Sequence, residues 1–212
     1  KPKVAFLIRG HTRASLKSGN LNYFLMACSS VIDFDLYIQT WNTSEANQSW
    51  RDTSNFKMDE VEESDIYSYF DESLHPRIKS LLILDESSVE LVGNIEGKIG
   101  KTMCPTIGWK YMWSGMYENI SQIPEDNDYK FAINTRFDIL TEGLDSFCRR
   151  PVHTENFTPL THLDFIKQMI VLRRFNELKY IYFLYDIVGC DNFIASSVEN
   201  IRWLIESFHF EL

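Results

Sequence analysis

The segment Val4-Ala5-Phe6-Leu7-Ile8, an unbroken apolar run closed by Arg9-Gly10, constrains the fold more than any other feature. A strand with one wet face needs a polar side chain at every second position, and this run has none. It therefore reads as a strand buried on both faces, as in a parallel sheet. Leu36-Tyr37-Ile38, Leu81-Leu82-Ile83-Leu84 and Tyr129-Lys130-Phe131-Ala132-Ile133 are further strands. Between them, residues 14–31 place Leu21, Phe24, Leu25 and Cys28 on one helical stripe. Residues 59–70 read as a short acidic helix, ended by the turn at Pro76. Residues 109–120 read as a helix with Trp109, Met112, Trp113 and Met116 on one face. Two more strands, 180–184 and 193–195, precede a last helix opened by a capping box, Ser196-x-x-Glu199. Residues 43–57, 93–107 and 141–160 read as loops. Strands alternating with helices predict an α/β, Rossmann-like single domain over residues 1–212, with a central, mostly parallel sheet and helices on both faces.

Composition then removes whole classes of function. The chain has 21 Lys and Arg against 30 Asp and Glu, a net charge of −9, which opposes wrapping nucleic acid. No apolar run approaches the ~18 residues of a membrane span. The start, Lys1-Pro2-Lys3, shows no signal-peptide pattern, so a cytoplasmic location and reduced thiols are expected. Without an initiator Met, the chain reads as a fragment of a longer protein. Cys28, Cys104, Cys148 and Cys190 are too far apart for zinc or redox motifs. His11, His75, His153, His162 and His209 have no metal-binding spacing.

Mostly parallel sheets bind ligands at the carboxyl ends of their strands, and that rule sorts the candidate residues. Asp33-Phe34-Asp35 and Asp126-Asn127-Asp128 precede their strands and are set aside as turn or capping residues. Asp138 follows a strand and lies two residues after Arg136. It can ligate a cation while Arg136 contacts phosphate or braces a carboxylate, or the two can form a surface ion pair. Asp85-Glu86 also follows a strand and is a reserve ligand pair, or an acidic loop without a role. Arg9-Gly10-His11-Thr12-Arg13 gathers guanidiniums, an imidazole, a hydroxyl and a flexible Gly, a set suited to phosphate or the edge of a base. It matches neither a P-loop nor G-x-G-x-x-G. Gln39-Thr40-Trp41-Asn42 offers amides and a ring to stack, although Trp41 can equally be core. Asp191, in Gly189-Cys190-Asp191-Asn192-Phe193, can act as a general base or close an Asx-turn.

Taken in order, residues 3–13, 35–41 and 133–139, with Asp191-Asn192-Phe193 downstream, resemble a GT-A-type glycosyltransferase. Within that family the chain is similar to the enzymes with which chlorella viruses glycosylate their major capsid protein. The resemblance implies a nucleotide-sugar donor, most often a UDP-sugar, Mn²⁺ or Mg²⁺ on its diphosphate, and transfer to a hydroxyl of an acceptor glycan on a capsid or surface protein. It implies that Arg9, Gly10, His11, Thr12, Arg13, Thr40, Trp41 and Arg136 bind the donor. Asp138 is then the metal ligand, and Asp191 the base of an inverting transfer. The family's usual Asp-x-Asp is reduced here to Arg136-Phe137-Asp138. Two alternatives stay open: a metal-independent, sulfotransferase-like enzyme that uses Arg9 and Arg13 on phosphate, and a degenerate GT-A domain that only binds glycan or protein.

Overall fold

The computed structural model describes residues 1–13, 15–45, 58–88, 106–138, 159–174, 179–183 and 193–211. Six strands form one sheet in the order β3-β2-β1-β4-β6-β5, with β1 Lys3–Arg9, β2 Asp33–Trp41, β3 Ile78–Leu84, β4 Phe131–Arg136, β5 Tyr182–Phe183 and β6 Phe193–Ser196. The first four run parallel, and β6 pairs antiparallel with both β4 and β5. The predicted α/β architecture with a mostly parallel sheet is therefore present. At its centre is β1, apolar from Val4 to Ile8 and flanked by β2 in the register Ile8↔Ile38 and by β4 in the register Ile8↔Thr135.

Because side chains alternate across a strand, β1 feeds two separate apolar layers. Val4, Phe6 and Ile8 face helices α2 (Asn20–Cys28), α3 (Glu63–Tyr69) and α5 (Pro159–Arg174), packing with Phe24, Leu25, Ile66, Ile166 and Met169. Ala5 and Leu7 face helices α4 (Thr106–Ile120) and α6 (Val198–Glu211), packing with Trp113, Met116, Ile201 and Ile205. Helices thus cover both faces, as the sequence predicts.

Several elements depart from their predicted bounds, each for a local reason. The expected helix over 14–31 is broken at Gly19, whose φ of +68° is left-handed, leaving the short α1 (Ser15–Ser18) ahead of α2. The acidic helix starts only at Glu63, where Glu62 and Asp65 form the capping box. The last helix is capped by Ser197, whose Oγ accepts from the Asn200 amide at 3.2 Å. Ser196 is still part of β6, and its hydroxyl donates to the Tyr180 carbonyl instead. Helix α5 has no predicted counterpart. Asp33 and Asp35, expected in a turn, are the first residues of β2 itself because their pairing with β1 starts at Lys3. At this amino edge Arg77 holds Asp33 at 2.7 Å, Tyr129 donates to Asp35 at 2.7 Å and Lys3 holds Asp128 at 2.9 Å.

The α4–α6 seam is aromatic. Trp113 stacks on Phe208 at 4.6 Å and Tyr117 on His209 at 4.5 Å. Burial lowers the pKa of His209 below its ordinary value of 6.5, so the unfolded chain binds this proton more readily than the folded one. Stability contributed by neutral His209 is present above about pH 6.5 and is lost as pH falls. Urea unfolding at about pH 7.5 and about pH 5.5 is expected to show a smaller acid-side loss in His209→Phe than in the parent chain.

Candidate functional site

The strand order dictates where a crevice opens. From β1 the chain proceeds outward through β2 and β3, then returns to lay β4 on the other side of β1. The carboxyl ends of β1 and β4 therefore diverge at the topological switch point, where Arg9 and Arg136 are register partners.

The exit of β1 is a turn built from backbone strain and borrowed side chains. Gly10 sits at φ +91° and Arg13 at φ +47°. Gly10 tolerates that conformation because it lacks a Cβ. Its N–H donates to Gln39 Oε1 at 3.3 Å, and its carbonyl accepts from Thr40 Oγ1 at 3.0 Å. The two polar residues at the end of β2 are thus buried braces of the β1 exit. The Arg13 N–H donates to the Ser44 carbonyl at 2.9 Å, fixing the far side of the turn.

This turn delivers Arg13 to Asp138. Arg13 Nη1 lies 2.6 Å from Asp138 Oδ2, while Arg136 grips both carboxylate oxygens, Nε on Oδ1 at 2.7 Å and Nη2 on Oδ2 at 2.6 Å. A Glu45 carboxylate lies 3.7 Å from Arg13 Nε. Beneath them Arg9 is buried and donates to Asn134 Oδ1 at 3.0 Å, and the Phe137 N–H donates to the Arg9 carbonyl at 3.1 Å. Two segments more than a hundred residues apart in sequence thus meet over the ends of β1 and β4.

On the other flank of the turn, His11 donates from Nε2 to Glu86 Oε1 at 2.5 Å and stacks on Trp41 at 5.8 Å. Glu86 opens the turn after β3, so the exits of β1, β2 and β3 share this cluster. Trp41 is 2% exposed and packs edge-on against Tyr111. It occupies the core position that the sequence left open, stacked on His11 and in an edge-to-face contact with Tyr111. Tyr111 titrates above its ordinary value, chiefly through burial and secondarily through the Glu86 charge.

Several buried polar atoms at this edge have no hydrogen-bond partner: Thr12 Oγ1, Arg13 Nε, Asn42 Oδ1 and Asn134 Nδ2. Buried polar groups are nearly always paired, so each of these four atoms near the strand ends asks for an explanation.

A divalent cation is a poorer fit to the same residues. Both oxygens of Asp138 are engaged by guanidiniums, and a cation would have to enter between two positive groups. Among the described residues no three of His, Cys, Asp and Glu gather as a ligand set. As arranged here, Asp138 holds the guanidiniums of Arg13 and Arg136 side by side. Asp191 lies outside the described residues; Phe193, two positions on, pairs with Thr135 at the same edge.

Sequence reasoning missed Asn134, Asn119 and Gly115 and gave Glu86 a minor part. A signal existed for Gly115: glycine in mid-helix costs about 1 kcal/mol against alanine, so its presence asks for a packing reason. A Cβ at that position would lie 2.6 Å from Gln39 Oε1. Gly115→Ala is expected to push Gln39 off the Gly10 amide and weaken ligand binding several-fold, with the melting temperature nearly unchanged because helix propensity offsets the lost hydrogen bond. Paired calorimetric titrations with UDP and thermal melts check both halves.

Compared with known protein families, curated proteins and solved structures, the chain matches none of them.

Proposed function

We infer that this chain is a glycosyltransferase domain that takes a hexose or deoxyhexose from a nucleotide-sugar, of which UDP-sugars are the first to test, and transfers it to an acceptor hydroxyl. The observation that carries the reading is the meeting of Arg13, Arg136 and Asp138 over the switch point of a mostly parallel sheet, beside buried polar atoms that lack partners. In this reading the paired guanidiniums face the diphosphate and stabilise the charge that grows on it as the anomeric carbon–oxygen bond breaks. Orphaned Thr12 Oγ1 and Asn134 Nδ2 supply neutral contacts to the same ligand. The acceptor hydroxyl attacks the opposite face of the sugar and inverts its configuration. A glycan on a capsid or surface protein is the acceptor that the resemblance suggests. No helix among the described residues is long and apolar enough to cross a membrane.

A second reading draws on the same guanidiniums. A sulfotransferase-like enzyme also places arginines on phosphate and needs no cation, but its donor would be an adenine nucleotide. Thermal-shift screening separates the two. A UDP-, GDP- or TDP-hexose at about a hundred times its Kd is expected to raise the melting temperature by roughly 5–10 °C, with no added stabilisation from Mn²⁺ alone. Stabilisation by adenine nucleotides only would replace the glycosyltransferase reading with the second one.

A further inference from the structure

The residue that handles the acceptor's proton can be sought among groups built to do so. A useful base is an imidazole whose tautomer and orientation are fixed by a buried carboxylate, leaving its second nitrogen with a lone pair. The edge of this sheet holds such an arrangement. The Glu86 side chain is 2% exposed, a burial that a carboxylate tolerates only when it is paired. Among the described residues it pairs with His11 Nε2 at 2.5 Å. Because a carboxylate can only accept, the ring proton sits on Nε2, and Nδ1 is left as the acceptor of the neutral ring. The stack on Trp41, itself wedged against Tyr111, fixes the ring plane. The His11 side chain keeps 10% of its surface exposed, enough for contact with a small group and too little for free rotation. Finally, His11 is two residues from Arg13, so base and leaving-group guanidinium belong to one rigid turn.

The geometry points to His11 as the catalytic base of sugar transfer, with Glu86 as its positioning residue. This rests on the glycosyltransferase reading and deepens it. Nδ1 takes the proton of the attacking hydroxyl. That oxygen forms its bond to the anomeric carbon, and the carbon's bond to the diphosphate oxygen breaks with the electron pair leaving on the nucleotide. The imidazolium that results is balanced by Glu86 and later returns its proton to water. With water in place of a glycan, the same step is donor hydrolysis, so the assignment can be tested without knowing the acceptor.

The experiment measures UDP release from a panel of UDP-hexoses, UDP binding by calorimetry, and melting temperature, for the parent chain, His11→Gln, His11→Ala, Glu86→Gln and Asp191→Asn. His11→Gln is expected to lose roughly 10²–10⁴-fold in turnover while UDP affinity stays within a few-fold, and added imidazole is expected to restore part of the rate to His11→Ala. Glu86→Gln is expected to move the acidic limb of the kcat/KM profile to lower pH, because a neutral amide no longer supports an imidazolium. Among the described residues, Glu86 is the titratable group paired with this ring, and Tyr111 packs on the Trp41 that stacks on it. A purely structural Glu86 would lower that profile without moving it, and it also serves as the second variant should His11→Gln fail to fold. Turnover in His11→Gln equal to the parent, UDP binding lost together with turnover, or collapse in Asp191→Asn alone would each overturn the assignment while leaving the enzyme class standing. A parent chain that neither binds UDP nor hydrolyses any sugar nucleotide overturns both.

Discussion

Replacing Arg13 by alanine is expected to weaken UDP binding by roughly 10–150-fold, the equivalent of the 1.5–3 kcal/mol that a hydrogen bond to a charged group contributes. The size of the effect follows from where Arg13 stands. Its guanidinium is held 2.6 Å from Asp138, beside that of Arg136, so it enters a complex already oriented and loses little side-chain freedom on binding. Removing it also takes from Asp138 one of the two guanidiniums described on its carboxylate. Arg13→Lys tests geometry against charge: a point charge without the planar fork is expected to recover only part of the affinity. The fold should survive, because Arg13 is a quarter exposed and its ion pairs are screened. Calorimetry at fixed salt provides the check, and an unchanged UDP affinity in Arg13→Ala would remove this turn from the ligand site.

The second large effect concerns the scaffold under that site. Asn119, on the inner face of α4, is fully buried and donates from Nδ2 to the Ile8 carbonyl at 3.0 Å and to the Tyr37 carbonyl at 3.2 Å. One amide thus ties the helix to β1 and β2, a turn of helix away from Gly115 and Gln39. Asn119→Ala removes both hydrogen bonds, opens a small cavity and leaves the two carbonyls without this donor. The expected loss is about 2–4 kcal/mol, or roughly 5–15 °C in melting temperature for a domain of this size. Asn119→Asp keeps the shape but brings an acceptor against two carbonyl oxygens, and is expected to be at least as destabilising. Urea unfolding of the two variants measures the difference directly.

The sheet was legible because its signals are local and redundant. An unbroken apolar run such as residues 4–8 cannot be satisfied by any half-wet strand, and the polar exits of β1, β2 and β4 follow directly in the sequence. The same logic placed Asp33, Asp35 and Asp128 at the wrong edge for a ligand, where they are found. What escaped depends on tertiary context. The break at Gly19 and the shift of the cap from Ser196 to Ser197 turn on single backbone angles that periodicity does not encode. Helix α5 was overlooked because charged and polar residues such as Asp164, Lys167, Gln168, Arg173 and Arg174 dilute its apolar stripe, leaving Ile166 and Met169 to reach the core. Of the candidate site, the position of the Arg9–Arg13 turn and of Asp138 after their strands was readable in the sequence; that β1 and β4 are neighbours was not. That Asp138 is clasped by two arginines, that Trp41 is buried, and that Glu86 pairs with His11 were not, since each depends on which rotamer packs against a neighbour far away in sequence.

The division of the interior by the sheet has a consequence for how such a chain can change. Alternation along the strands sends Arg9, Gln39 and Asn134 to the same side as Ala5, Leu7, Tyr37 and Ala132, the side roofed by α4 and α6. The opposite layer, under α2, α3 and α5, is filled by Phe6, Phe24, Phe34 and their neighbours and carries none of these three groups. Apart from Phe137, which lies between Arg136 and Asp138, substitutions there are separated from these three polar residues by the strand backbone and are expected to act mainly on stability. Under the proposed function, the two layers are expected to tolerate change unequally: the α4–α6 side carries the buried polar residues, whereas the opposite side need only keep its volume.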